Sequence, residues 1–120
     1  MSEGDECTCN FCQEQRAKVA VHWSGLQDKS AAERKNAPIA RGLLDYFPDA
    51  LVAVAELSKI GNDQHNPGQP LHWSRDKSTD HADCILRHMI DRGKVDTDGV
   101  LHATKVAWRA LAMLQLELEA

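Results

Sequence analysis

The chain reads as an all-α protein, with three main helices preceded by N-terminal additions. Two stretches, residues 49–60 and the run VAWRALAMLQL near the C-terminus, are apolar on nearly every side. A third, about residues 79–92, is amphipathic at helical spacing. No segment alternates apolar and polar residues as a half-buried strand does. At 120 residues the chain has the length of one domain, and 42% hydrophobic with only 5% aromatic residues makes its core aliphatic.

Residues 1–37 form a cysteine-containing extension and 38–120 the helical domain. Residues 1–12 are polar and acidic, and 13–21 suit a short helix ending near Gly25. The charged stretch 27–37 (QDKSAAERKNA) suits a surface connection or a weak helix. From Pro38, PIARGLLDYF reads as an extended lead-in that tucks Leu43, Leu44 and Phe47 onto a core. Pro48 fits the first position of a helix, where its missing N–H costs nothing. That helix, 49–60, closes at Gly61, a residue suited to the left-handed C′ position. Ala50, Leu51, Val54 and Leu57 cover one face, with Val52, Ala53 and Ile60 on the other, so it should be buried, Glu56 included.

In helix 79–92, Ala82, Ile85, Leu86 and Met89 form the core face, opposite Asp80, Asp83, Arg87 and Asp91. Ser78 or Thr79 would cap it and Gly93 ends it. VDTDG then turns the chain, offering Asp96, Thr97 or Asp98 as the next N-cap. The last helix spans about 99–118. Broad apolar faces on so small a domain suggest that a second copy completes the core.

Composition excludes several classes. A net charge of −4 without a Lys/Arg stripe argues against nucleic-acid binding. No run approaches the ~18 apolar residues that span a bilayer. The start MSEGDECTC lacks an apolar signal region, so a cytoplasmic location is expected, with the four cysteines reduced.

The chemistry concentrates in residues 61–88, GNDQHNPGQPLHWSRDKSTDHADCILRH. Asp80 and Asp83 are three apart on one helix, so their carboxylates can approach a shared point. Glu56 is the natural third ligand for Mg²⁺, with Mn²⁺ as a substitute, and Asp63 a fourth. The plain alternative is a solvated face with Asp83 paired to Arg87. Lys77, Arg87 and His88 could neutralise phosphates, and Ser78 lies where helix N–H groups favour an anion. Asn62, His65, Asn66 and Trp73 offer amide edges and an aromatic face to a base, or make an ordinary turn with Trp73 as a core plug. His72 and His81 read as exposed structural residues, and Cys84 as packing. Of Cys7, Cys9 and Cys12, only the last two have the C-x₂-C spacing of a zinc site; a second pair is lacking and His22 is the nearest fourth ligand, so a reduced tail is the stronger reading.

LLDYFPDALVAVAELSKIGNDQHNPGQPLHWSRDKSTDHADCILRH, with the later GVLHATKVAWRALAMLQ, resembles the dATP/dGTP diphosphohydrolase (MazZ-like) family. That family belongs to the MazG-like all-α nucleoside triphosphate pyrophosphohydrolases, common in phages and prophages. The resemblance covers roughly residues 38–118. It rests on the turn Gly61–Asn66, His72-Trp73, Lys77-Ser78, and Asp83 with Arg87-His88. It implies a MazG-like bundle completed as a dimer or tetramer, and Mg²⁺-dependent hydrolysis of a purine deoxynucleoside triphosphate to the monophosphate and pyrophosphate. Asp80-x-x-Asp83 matches the ExxD pair of the superfamily, with Asp for Glu. The ExxE pair is incomplete, because Ala53 and Lys59 flank Glu56. That gap sustains two other readings: a non-catalytic nucleotide-binding module, or an oligomeric interaction module with a zinc-binding N-terminus.

Overall fold

A capping box starts the first helix of the computed structural model, which describes residues 25–120. The Ser30 hydroxyl accepts from the Glu33 N–H and the Glu33 carboxylate accepts from the Ser30 N–H, both at 3.2 Å, and α1 (Ala31–Lys35) follows. The expected helix at 13–21 and the cysteine cluster lie outside the described residues.

The lead-in after Pro38 is not extended. Residues Ala40–Leu44 form a π-helical turn, in which the Asp45 N–H reaches back to the Ala40 carbonyl. Leu43, Leu44 and Phe47 remain 42%, 52% and 52% exposed, because nothing among the described residues covers them. Pro48 opens α2 (Pro48–His65) as expected. Gly61 does not close this helix, which runs one further turn through Asn62 and His65. Nor is α2 buried all round: Leu51, Val54 and Leu57 are half-buried, while Val52 and Glu56 face solvent.

Helix α3 (His81–Ile90) is shorter than the pattern suggested, and its N-cap is Asp80 rather than Ser78 or Thr79. Its inward face is also rotated. His81 and Cys84 are buried against α4 (His102–Glu119), whereas Ala82, Leu86 and Met89 are exposed. Two histidines (His81, His88) and a cysteine thus line the seam, and the more apolar stripe points outward. Most of the packing of α3 is on α4, and α2 also packs on α4.

The turn between α3 and α4 explains why the last helix starts three residues late. Val95 and Leu101 form an isolated antiparallel bridge, and the Asp96 N–H donates to the Val100 carbonyl at 2.8 Å. Gly93 (φ 87°) and Gly99 (φ 83°) supply the left-handed backbone this tight loop needs. The carboxylates of Asp96 and Asp98 accept from the Thr97 and Val100 N–H groups inside the turn. They cap the turn, and the N-cap of α4 falls to Leu101, with no side-chain cap. No helix among the described residues is long and apolar enough to cross a membrane.

Between α2 and α3 the chain has little regular structure, yet it is pinned at three points. The buried Asn62 side chain donates to the Gln69 carbonyl (3.0 Å) and accepts from the His72 N–H (3.2 Å). Trp73 meets Trp108 of α4 edge to face, with centroids 5.9 Å apart, and the Trp108 indole N–H donates to Ser58 Oγ of α2 at 2.8 Å. Arg75 pairs with Glu119 at 2.8 Å near the end of α4.

Asn62→Ala strands two partners of a buried amide and should lower unfolding free energy by about 2 kcal/mol. Asn62→Asp, which still accepts from His72, should recover part of that loss. Urea denaturation of the three proteins checks this; an unchanged midpoint for Asn62→Ala would show that the loop is held by other means.

Candidate functional site

The pinned loop, the C-terminal part of α2, His81 and His88 of α3, Asp98 of the following turn and one face of α4 line an open pocket of about 820 Å³. Its floor comes from Leu57, Ser58, Gly61 and Asn62, and its aromatic surface from Trp73 and Trp108. The charged residues on its wall are Arg75, Lys77, Lys105, Arg109 and, opposite in sign, Asp98. Its histidines are His65, His72, His81 and His88. The volume falls within the range typical of small-molecule sites, about 300–1,000 Å³.

Seven of the eight residues expected to bind substrate line this pocket: Asn62, His65, Asn66, Trp73, Lys77, Ser78 and His88. Arg87 does not. It donates to Cys84 Sγ at 2.9 Å and lies 3.7 Å from Asp80, not paired with Asp83. Within the pocket, Asn62 has both ends of its amide committed to the loop backbone, so it shapes the wall rather than presenting a free amide edge. Arg75 sits over the Trp73 ring, 4.4 Å from its centroid, so a side chain already covers part of that ring.

The four expected metal-binding acids lie elsewhere. Glu56, Asp63, Asp80 and Asp83 are exposed, none lines the pocket, and they do not converge on a common point within one chain. Asp63 is held by Lys59 at 2.7 Å, one turn earlier on α2. Partial desolvation pushes the Asp80 carboxyl up, but the Cys84 thiol, its own backbone N–H, Arg109 and Arg87 together hold it below the ordinary value. Among the described residues only His88, Asp96 and His102 bring three ligand-type atoms within 4.8 Å of one another.

That second cluster has a strong electrostatic signature. Lys105 Nζ lies 2.6 Å from Asp96 and 2.8 Å from Asp98. The hydrogen bond from Lys105, helped by the Thr97 N–H, lowers the Asp96 carboxyl from 3.8 to about 2. Asp98 is lowered as well, first by the same lysine. Burial opposes the Lys105 charge, but its two carboxylates outweigh that and raise its pKa. His88 is pushed down by burial and then by His102 and Lys105.

Several pocket residues escaped the sequence reading. His81 is 7% exposed rather than solvated, and its Nδ1 accepts from Arg109 at 3.2 Å. Arginine has only donors, so the imidazole proton sits on Nε2, a buried atom without a hydrogen-bond partner among the described residues. Lys105, Trp108 and Arg109 share one face of α4 by i,i+3 and i,i+4 spacing. A polar–aromatic stripe in an otherwise apolar helix was the signal that could have found them.

A family model described as "dATP/dGTP diphosphohydrolase, N-terminal" matches residues 28–120. No match was found among curated proteins or among solved structures.

The depressed Asp96 carboxyl contributes stability that is complete above the ordinary carboxylate range and is lost as pH falls from about 4 through about 2. Lys105→Met removes the main cause of the depression. Its urea midpoint should therefore depend less on pH across that window than the parent's. Parallel curves between pH 5 and 2 would show that Lys105 does not set the Asp96 titration.

Proposed function

The chain belongs to the dATP/dGTP diphosphohydrolase N-terminal family, and on that premise we propose that it hydrolyses dGTP or dATP to the monophosphate and pyrophosphate. The observation that carries this reading is the pocket, in which two tryptophans and four cations face a single wall carboxylate, Asp98. Such a lining suits a ligand with an aromatic base at one end and a polyanion at the other. Two of the cations are already engaged, Arg75 with Glu119 and Lys105 with Asp96 and Asp98. Lys77 and Arg109 make no ion pair within the distance of a direct salt bridge among the described residues, and to them falls the role of holding phosphate oxygens. His65, Asn66, Ser78 and His88 supply further polar contacts along the wall.

In the reaction a water oxygen forms a bond to the α-phosphorus and the bond to the α,β-bridging oxygen breaks. Pyrophosphate leaves and the water's proton goes to solvent or to a wall imidazole. A divalent metal, when bound to the triphosphate, neutralises charge and activates the attacking water. Glu56, Asp80 and Asp83, with Asp63 in support, are the acids proposed to hold Mg²⁺, or Mn²⁺ in its place. They stand apart in the single chain, and a metal held by all four would require them to draw together. The outward apolar stripe of Ala82, Leu86 and Met89 is consistent with a homodimer or homotetramer, in which a second copy covers it. A cytoplasmic location is proposed with the same reading.

Incubation of the full chain with each dNTP and NTP plus Mg²⁺, with products resolved by ion exchange, tests the reaction. Monophosphate and pyrophosphate from dGTP or dATP are expected. Binding of dGTP with no product would favour a non-catalytic nucleotide module. Lys77→Ala and Arg109→Ala should each raise KM about 10-fold through loss of a charge-assisted contact. Asp83→Ala should keep the fold, by circular dichroism, and abolish turnover. Near-normal activity in that variant would remove Asp83 from the metal set.

A further inference from the structure

We propose that His88, Asp96 and His102 form a site for a first-row transition-metal dication, bound through Nδ1 of each imidazole and one Asp96 oxygen, beside the pocket that His88 lines. The ligands come from three places: the last turn of α3, the α3–α4 turn and the first residue of α4. Backbone hydrogen bonds fix the turn and the helix start that carry two of them. The Asp96 N–H donates to Val100, the His102 N–H to the Lys94 carbonyl at 3.1 Å, and the Gly99 N–H to Asp96 at 3.0 Å. The site is thus assembled by the fold rather than by long mobile side chains.

Donor type selects the class of ion. Two imidazoles and one carboxylate are the set that holds Mn, Fe, Co, Ni or Zn, whereas Mg²⁺ and Ca²⁺ take oxygen ligands. The two Nδ1 atoms lie 2.8 Å apart. Adjacent ligands of an octahedral ion at bond lengths of about 2.1 Å are roughly 3 Å apart, against roughly 3.4 Å in a tetrahedral site. The 2.8 Å spacing is that of a hydrogen bond between the two rings, and small movements would bring both nitrogens to either separation around one ion. Asp96 Oδ2 is 3.8 Å from His102 Nδ1, within reach of the same ion after a small side-chain rotation.

The remaining positions have somewhere to go. The His102 and Asp96 side chains are only 13% and 21% exposed, while His88 opens onto the pocket. Three protein ligands with an open side leave room for water or a ligand oxygen. Lys105 acts as the resident counter-charge of the metal-free cluster. It can keep Asp98 while releasing Asp96, so the ion replaces one of its two contacts. This site is separate from the acids of α2 and from Asp80 and Asp83, and its existence does not depend on the nucleotide reading.

The test uses the full chain with Cys7, Cys9 and Cys12 changed to Ser, stripped of metal and titrated with Co²⁺. Equilibrium dialysis should give one Co²⁺ per chain, with the visible absorption of protein-bound cobalt. Asp96→Asn keeps the acceptor for the Thr97 N–H and should fold, yet weaken binding at least about 10-fold, as should His102→Gln. Lys105→Met should tighten binding by removing the competitor, and Asp49→Asn, in the first turn of α2, should leave it unchanged. Absence of stoichiometric cobalt, or an affinity in the Asp96→Asn and His102→Gln proteins equal to the parent's, overturns the site. Cobalt binding lost in Asp83→Asn and kept in His102→Gln would place the metal at the acidic helix instead. Failure here with intact dGTP hydrolysis counts against the site alone; cobalt binding without hydrolysis counts against the function alone.

Discussion

The buried side chain of Asn62 is the constraint on which the site depends. The loop from 66 to 80 has almost no regular secondary structure, and its backbone groups need partners from elsewhere. Asn62 meets that need in both senses, donating to the Gln69 carbonyl and accepting from the His72 N–H in the first half of the loop. The demand accounts for the extra turn of α2, because a helix ended at Gly61 would leave Asn62 in a turn instead of under the loop. Trp73, Arg75, Lys77 and Ser78 reach the pocket from this loop, so an amide committed to the loop backbone helps set the position of four wall residues.

Helix α4 plays the complementary part, since both other long helices and the loop dock on it. Its face carrying Lys105, Trp108 and Arg109 gathers contacts that begin far apart in sequence, including Ser58 of α2, Trp73 of the loop and His81 of α3. The charges are sorted as well. The carboxylates of Asp96 and Asp98 are drawn to Lys105 at one end, while Arg109 is left beside an imidazole. The pocket therefore keeps a net basic wall within a chain of net charge −4.

Much of this was legible in the sequence, and the failures share a cause. Helix type, number and order followed from apolar periodicity, and Pro48 marked a true helix start. The 61–88 segment gave most of the pocket lining because amides, histidines and a tryptophan between helices have few other uses. Boundaries failed where tertiary hydrogen bonds overrode local signals. Gly61 has the chemistry of a stop yet sits inside a helix, and Asp96 and Asp98 have the chemistry of helix caps yet are spent on a turn. The inward face of α3 was misread because periodicity measures hydrophobicity, not contact. His81 and Cys84 are buried where α3 packs on α4, whereas Leu86 and Met89 find no cover among the described residues. The His88–Asp96–His102 cluster was invisible for a similar reason: its members sit on two helices and a turn, and only folding brings them together.

The three-point attachment of the loop bears on the thermodynamics of recognition. A segment held by an amide clamp, a tryptophan pair and an arginine–carboxylate bridge has lost most of its conformational freedom before any ligand arrives. An incoming molecule then orders few additional torsions, and the entropic penalty that accompanies binding to a floppy loop falls on the folding equilibrium instead. Recognition by such a wall selects among ligands by shape and charge, since the wall has little capacity to remodel itself around a poor fit.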